Sequence, residues 1–309
     1  MPYGIPDPTT ISYALQRCDV ASLVSAWNTF RRTVYGWESD WVASMDGKTL
    51  RGVHGAAAIR HMLSLLTHER MQTIGQIGVS SKENEIPAAH RLFKQTAIAG
   101  LTIIADALHT QKDTVTALLA HHADYVLMVK ENQPELASVC ALAFTDGQLI
   151  MDSATDGQYN RGRSIDTIVT LIKDQALTGY LSSLGWNNAA CIGRIHRLGR
   201  RTIQGKETPL NEMVYFISSR ADLTAKNALS MVRNHWRIEN NLHWQKDYTY
   251  LEDRQTLRLG NAPQVMSFLR SMSISLLKRL KIASVTEAIE HFRHEPRLHH
   301  QFLTYAAVV

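Results

Sequence analysis

The chain is poor in sulfur, carries no long apolar run and shows no repeated unit. Its three cysteines, Cys18, Cys140 and Cys191, stand far apart and form no Cys-x-x-Cys pair. That excludes a disulfide framework and a cysteine-ligated zinc site, and it points to a reducing cytoplasmic setting. No stretch of about 18 apolar residues occurs, so no segment is expected to span a membrane. The opening Met1-Pro2-Tyr3-Gly4-Ile5-Pro6 has neither a basic n-region nor an apolar h-region, so it does not read as a secretory signal. The lack of an internal repeat excludes a solenoid.

What is present is the material of a real core. Of 309 residues, 45% are hydrophobic and 20% charged, which excludes a disordered chain and predicts one large domain or two modest ones. The net charge of +5 says little by itself. Its distribution says more. Residues 1–193 hold 15 Lys and Arg against 18 Asp and Glu, whereas residues 194–282 hold 16 against 7. A positive block on an otherwise slightly acidic chain suggests a polyanion partner such as nucleic acid, with a solvated basic face as the plainer reading.

The pattern of apolar residues predicts helices over 1–40 and a first strand at Trp41–Met45, closed by a turn at Asp46-Gly47-Lys48. Residues 59–67 and 70–79 suit a hairpin, and Glu85–Ala97 a helix stopped by Gly100. Leu101–Ala105 and Tyr125–Val129 are short apolar runs of the buried-strand kind, separated by a helix at 111–121. This order suits a mixed α/β sheet with crossover helices. Residues 134–220 read as a β-rich insertion with strands at 165–172, 190–198 and 213–218. A long helix is expected from Asp222 to Asp247, and a short one in 286–309.

Three acids carry the chemical argument. Asp46 and Asp106 are each expected to close a strand. A hard divalent cation needs oxygen ligands converging from rigid elements. On the 222–247 helix, Leu229, Val232, Trp236, Glu239, Leu242 and Lys246 follow the spacing of one face, which puts Glu239 inside an apolar stripe. A carboxylate there is costly unless it is paired or binds metal. A salt bridge to Lys246 or His243 is the plainer reading. Three carboxylates suffice for two Mg2+ ions, which suit in-line phosphoryl transfer. Arg237, Lys246, Arg254 and Arg258 would then neutralise DNA phosphates.

Five ordered blocks resemble the ISAs-type DDE transposases, the H-repeat-associated family. They are Asp46-Gly47-Lys48-Thr49-Leu50-Arg51-Gly52, Lys82-Glu83-Asn84-Glu85-Ile86, Ala105-Asp106-Ala107-Leu108-His109-Thr110-Gln111, Asp124–Gln133 and His235–Trp244. Glu252-Asp253-Arg254 and Gly260-Asn261-Ala262-Pro263 continue in order, so the resemblance covers about residues 41–280. It implies a ribonuclease-H-like mixed sheet with flanking helices. The catalytic domain would comprise 41–133 and 221–285, with the β-rich insertion 134–220 before the helix of the third acid. It also implies metal-dependent DNA cleavage and strand transfer by Asp46, Asp106 and Glu239. Mg2+ is the implied cofactor (Mn2+ as substitute), double-stranded DNA the partner, and a homodimer the expected assembly on DNA. Relatives begin with a longer helical region, of which residues 1–40 would be a remnant.

The chain departs from the wider group at two positions beside the third acid. Val232 stands where a Tyr is common and His235 where an Arg is common, while Glu239 and Lys246 keep the Glu-x6-Lys spacing. Arg161-Gly162-Arg163-Ser164-Ile165-Asp166-Thr167 matches the family pattern in part. Lys130 and Asn132 follow a buried strand on the side where ligands usually bind, so they are candidates for DNA contact. Trp244 is the better candidate for stacking on an unpaired base, and Trp236 is expected in the core. A nuclease on the same fold, and a remnant that only binds DNA, are the rival readings.

Overall fold

The computed structural model describes residues 6–36, 41–53, 59–80, 83–160, 163–203, 206–295, 297 and 304. Lys82, Arg161 and Gly162, named above in family blocks, lie outside the described residues. The chain divides into two compact units, residues 1–98 with 237–309, and residues 99–236.

The first unit begins with α1 (Pro8–Arg17) and α2 (Val20–Tyr35). Asp7 and Asp19 cap them by accepting from Thr9 N and Ser22 N, as short polar side chains do at helix starts. Gly36, at φ 75°, ends the second helix, because a left-handed φ is easy only for glycine. Strands β1 (Val42–Thr49), β2 (His61–Thr67) and β3 (Thr73–Val79) form an antiparallel meander, with Asp46 opposite Ser64 and Ser64 opposite Gln76. Helix α3 (Glu85–Gln95) starts at Asn84, which accepts from Ile86 N, and buries Ala88, Ala89, Leu92 and Phe93.

The C-terminal part of this unit opens on a π-turn at Glu239–His243, followed by α8 (Trp244–Tyr248) and a 3-10 turn at Glu252–Arg254. Then come α9 (Ala262–Arg279) and α10 (Val285–His294). Helix α9 docks on β3 through polar contacts. Ser275 Oγ accepts from Thr73 N at 3.0 Å, and Ser267 and Ser271 bond the Gln76 amide. Apolar packing does the rest. Leu66, Met71, Ile238, Leu242, Ile274, Leu277 and Val285 form one core, and Val24, Trp27, Phe268 and Leu276 another.

The second unit holds β4 (Thr102–Ala105), a 3-10 turn at Ala107–His109, α4 (Lys112–Ala120), β5 (Asp124–Val129) and α5 (Pro134–Ala143). It continues with β6 (Met151–Asn160), β7 (Arg163–Ile172), α6 (Gln175–Ser183), β8 (Cys191–Ile203), β9 (Lys206–Ser218) and α7 (Ala225–His235). Strands β4 and β5 are parallel, joined by α4 as crossover, and β4 is buried along its length. Strand β9 pairs antiparallel with β5, and β8, β7 and β6 follow in antiparallel order. Residues 134–220 therefore extend the sheet of β5. Helix α7 packs on β6 and β7 and is capped twice: Thr224 accepts from Asn227 N, and Asp152 accepts from Ala225 N.

Three expectations are corrected. Asp46-Gly47-Lys48 is strand, not turn, and β1 runs on to Thr49. Gly47 serves close approach there, since a Cβ would run into His61 Nε2 and Glu85 Oε1. Strand β6 lies where no strand was expected, because its Asp156-Gly157 pair reads as a turn signal. The helix expected over 222–247 is interrupted. Beyond α7 and Trp236 the chain passes through the π-turn, and Ile238 is buried in place of Trp236 and Glu239, with Leu242 and Lys246 inside as their spacing implied. Trp236 and Glu239, placed by regular spacing on the apolar face, are exposed instead.

Candidate active site

Asp46 lies within β1, its side chain about one-third exposed. Its Oδ1 accepts from Gly47 N at 2.9 Å, and its Oδ2 lies 3.4 Å from His243 Nδ1. His243 is buried, and burial together with the cations of Lys246 and Lys48 pushes its pKa down to about 3. The ring is therefore neutral at pH 7 and faces the Asp46 carboxylate as a dipole. His243 ends the π-turn that begins at Glu239. Within this unit, then, Asp46 stands beside the segment that carries the third acid. Extra-wide helical turns of this kind concentrate at functional sites.

Asp106 follows β4 directly and immediately precedes the 3-10 turn Ala107–His109. Its side chain is 63% exposed, with Oδ1 3.4 Å from His235 Nε2. The hydrogen bond from His235 holds the Asp106 carboxyl below its usual range against the opposing effect of burial, and the charges of His235, Lys130 and His109 add to it. His235 and His243 flank Glu239 at four residues on either side. Each aspartate thus has a histidine partner drawn from the block around the third acid. Sequence reading took His235 as a departure from the wider group and His243 as a possible salt-bridge partner of Glu239, although the His-x3-Glu-x3-His spacing was there to be seen.

Asn132, expected to face DNA, donates from Nδ2 to Ala107 O at 2.7 Å, tying the loop after β5 to the turn that follows Asp106. Lys130 is exposed and acts on Asp106 through its charge. Arg237, Arg254 and Arg258 are exposed; Arg237 Nη1 donates to His68 O and Arg258 Nε to Gly52 O. Lys246 is a correction. It is 1% exposed and donates to Ser267 Oγ at 3.0 Å, so it presents no cation to a duplex. Its spacing with Leu242, four residues apart on one helical face, is the cause, since both point inward. Trp236 is a second correction, at 55% exposed. Trp244 is 48% exposed and stacks on Tyr248, with centroids 4.6 Å apart and rings inclined by 12°.

Among the described residues, no three His, Cys, Asp or Glu side chains are gathered as an ion cage, and no helix is long and apolar enough to cross a membrane. By donor chemistry the acids still suit a hard cation: Asp46, Asp106 and Glu239 offer carboxylate oxygen, and Asp106 is held in its ionised form.

The structure is a mixed α/β chain with Asp46 on a strand, Asp106 just past a strand and Glu239 in a distorted helical turn. The Transposase DDE domain family matches residues 37–276, most of the chain, and the chain belongs to that family. Domains of this family have a ribonuclease-H-like fold. The chain is 30% identical over 289 residues to the "H repeat-associated putative transposase YhhI" of Escherichia coli (strain K12), a match that covers 90% of this chain and 75% of the relative. It is equally similar to "Putative protein YbfL" of the same strain over the same shares. A third relative, "Putative transposase YncI" of Escherichia coli O157:H7, is 28% identical over 90% of this chain and 72% of its own length.

Proposed function

We propose that the chain is a transposase that cuts and joins double-stranded DNA, with Asp46, Asp106 and Glu239 as its acids. The observation that carries this reading is the His-x3-Glu-x3-His block in a chain of the DDE family, one histidine on Asp106 and the other on Asp46. The three acids would hold Mg2+, with Mn2+ as substitute. Bound there, the metal would supply charge stabilisation at the scissile phosphate and an activated oxygen nucleophile. The neutral His243 ring orients the Asp46 carboxylate without competing for it as a cation. His235 keeps Asp106 ionised. Exposed Arg237, Arg254, Arg258 and Lys130 would neutralise phosphates flanking the reacting bond. Trp244 and Tyr248 offer ring faces to a base near the cut end. A homodimer would form on DNA, because two element ends must be paired, and the cytosol is its place of work.

The deciding experiment is strand cleavage of DNA from the edges of this gene's own locus in Mg2+ or Mn2+, with Glu239→Ala alongside. Metal-dependent nicking and joining by the unaltered chain alone is the expected result. Bound DNA that stays uncut would overturn the reading, and cutting without joining would reduce it to a nuclease.

A further inference from the structure

We propose that Lys48 is a positioning residue, fixing the strand that carries Asp46 to the helical segment that carries Glu239. The inference rests on the reading of those acids given above, but its own evidence is separate. Lys48 lies two residues after Asp46 in β1, on the same face of the strand. Its side chain is 7% exposed, and its ammonium stands 2.6 Å from Asp247 Oδ1, 3.3 Å from Glu252 Oε2 and 3.6 Å from Asp253 Oδ1. Asp247 belongs to α8, which continues the π-turn opened by Glu239. One buried ammonium therefore joins the strand of the first acid to the helical run of the third.

The seat of that ammonium is built at a cost. Glu252 has no exposed surface. The residue before it, Leu251, adopts φ 51° and ψ 42°, a left-handed conformation unfavourable for a non-glycine residue, and is left 44% exposed. The backbone is thus strained so that the carboxylate goes inside and the leucine stays out. Arg270 Nη1 meets Glu252 Oε1 at 3.3 Å, and the Lys246 cation acts on the same carboxylate. Cohesion alone would be served as well by apolar side chains. An ion cluster adds direction, since Lys48 must stay within reach of Asp247 to remain paired with α8. Just past β1 the chain is fastened to the stretch that follows α8: Arg51 N donates to Asp253 Oδ1 and Arg258 Nε to Gly52 O. Gly52 permits this approach, as a Cβ there would stand 2.7 Å from Asp253 O.

The test uses the full chain with Mn2+ alone as probe, its affinity read by electron paramagnetic resonance well below the melting temperature. Lys48→Met leaves Glu252 with Arg270 and Lys246, so the variant should still melt cooperatively. Its Mn2+ affinity should fall by about 10-fold or more, the usual loss when a residue that orients a ligand is removed, and Lys48→Arg should recover most of it. Asp247→Asn, at the more exposed side of the seat, should weaken Mn2+ binding in the same direction and serves if Lys48→Met does not fold. A purely cohesive role would lower the melting temperature and leave Mn2+ affinity unmoved, which would overturn the proposal. Cleavage by the unaltered chain that persists undiminished in Lys48→Met would overturn it too. Lys48-dependent Mn2+ binding in a chain that cuts no DNA would overturn the transposase reading alone. An unaltered chain that binds no Mn2+ would overturn both.

Discussion

His235 Nε2 stands 3.4 Å from Asp106 Oδ1, and this contact is the first cause of the lowered Asp106 pKa. His235→Ala should therefore raise the Asp106 pKa toward its ordinary value, read by carbon NMR of the carboxyl group across a pH titration. The sign for stability follows. A carboxyl held lower in the fold than in the unfolded chain favours the fold above its unfolded pKa, and the benefit is lost as pH falls through the lowered value. An Asp106 titration unmoved by His235→Ala would remove His235 from the site.

Glu239 is exposed at the start of the π-turn, while Lys246 and His243, its expected partners, engage Ser267 and Asp46. Glu239→Gln should accordingly change metal-free stability by less than about 0.5 kcal/mol, as exposed substitutions do, while abolishing DNA cleavage. Urea unfolding and a nicking assay check the two halves.

Glu252 is fully buried among Lys48, Lys246 and Arg270. Glu252→Gln leaves those cations around a neutral amide and should cost about 3–5 kcal/mol in urea unfolding, the usual penalty for breaking a buried pair. Adding Lys246→Met removes one stranded cation, so the double variant should recover part of that loss. A double variant less stable than Glu252→Gln alone would contradict the assignment.

Arg254 is exposed in the basic third of the chain, beside a segment anchored to β1. Arg254→Ala should weaken DNA binding and reduce the slope of log affinity against log salt by about one unit. The same slope in both proteins would take Arg254 off the DNA face.

The legible parts of the molecule were those with one dominant local signal. Ile103, Ile104 and Ala105 form a buried strand because an apolar β-branched run bounded by Gly100 and Asp106 has few other uses. Asp106 could be placed at its end for the same reason. Asp46 was identified but misplaced, since Asp-Gly favours turns locally and only the pairing of β1 with β2, Gly47 opposite Leu63, makes it strand. Strand β6, with Asp152, Ser153, Asp156 and Gly157, is held by its antiparallel partner β7, and its own residues give little sign of it. Lys246 is buried as its place on the apolar stripe implied, against its assignment to DNA, while two other stripe positions turned outward. Regular 3.6-residue periodicity has no way to register a wider turn, and so Trp236 and Glu239 were assigned to the wrong face.

That wider turn makes chain length between Glu239 and His243 a functional quantity. Each residue of an α-helix advances the face by about 100°. If the same residues closed an ordinary α-helical turn instead, everything downstream would swing by roughly that angle relative to Glu239. His243 would leave Asp46, and Lys246 would leave Ser267. The single surplus residue acts as a spacer that lets an outward-facing acid and an inward-facing lysine share one helical run, at a separation that a regular helix would send toward the same side.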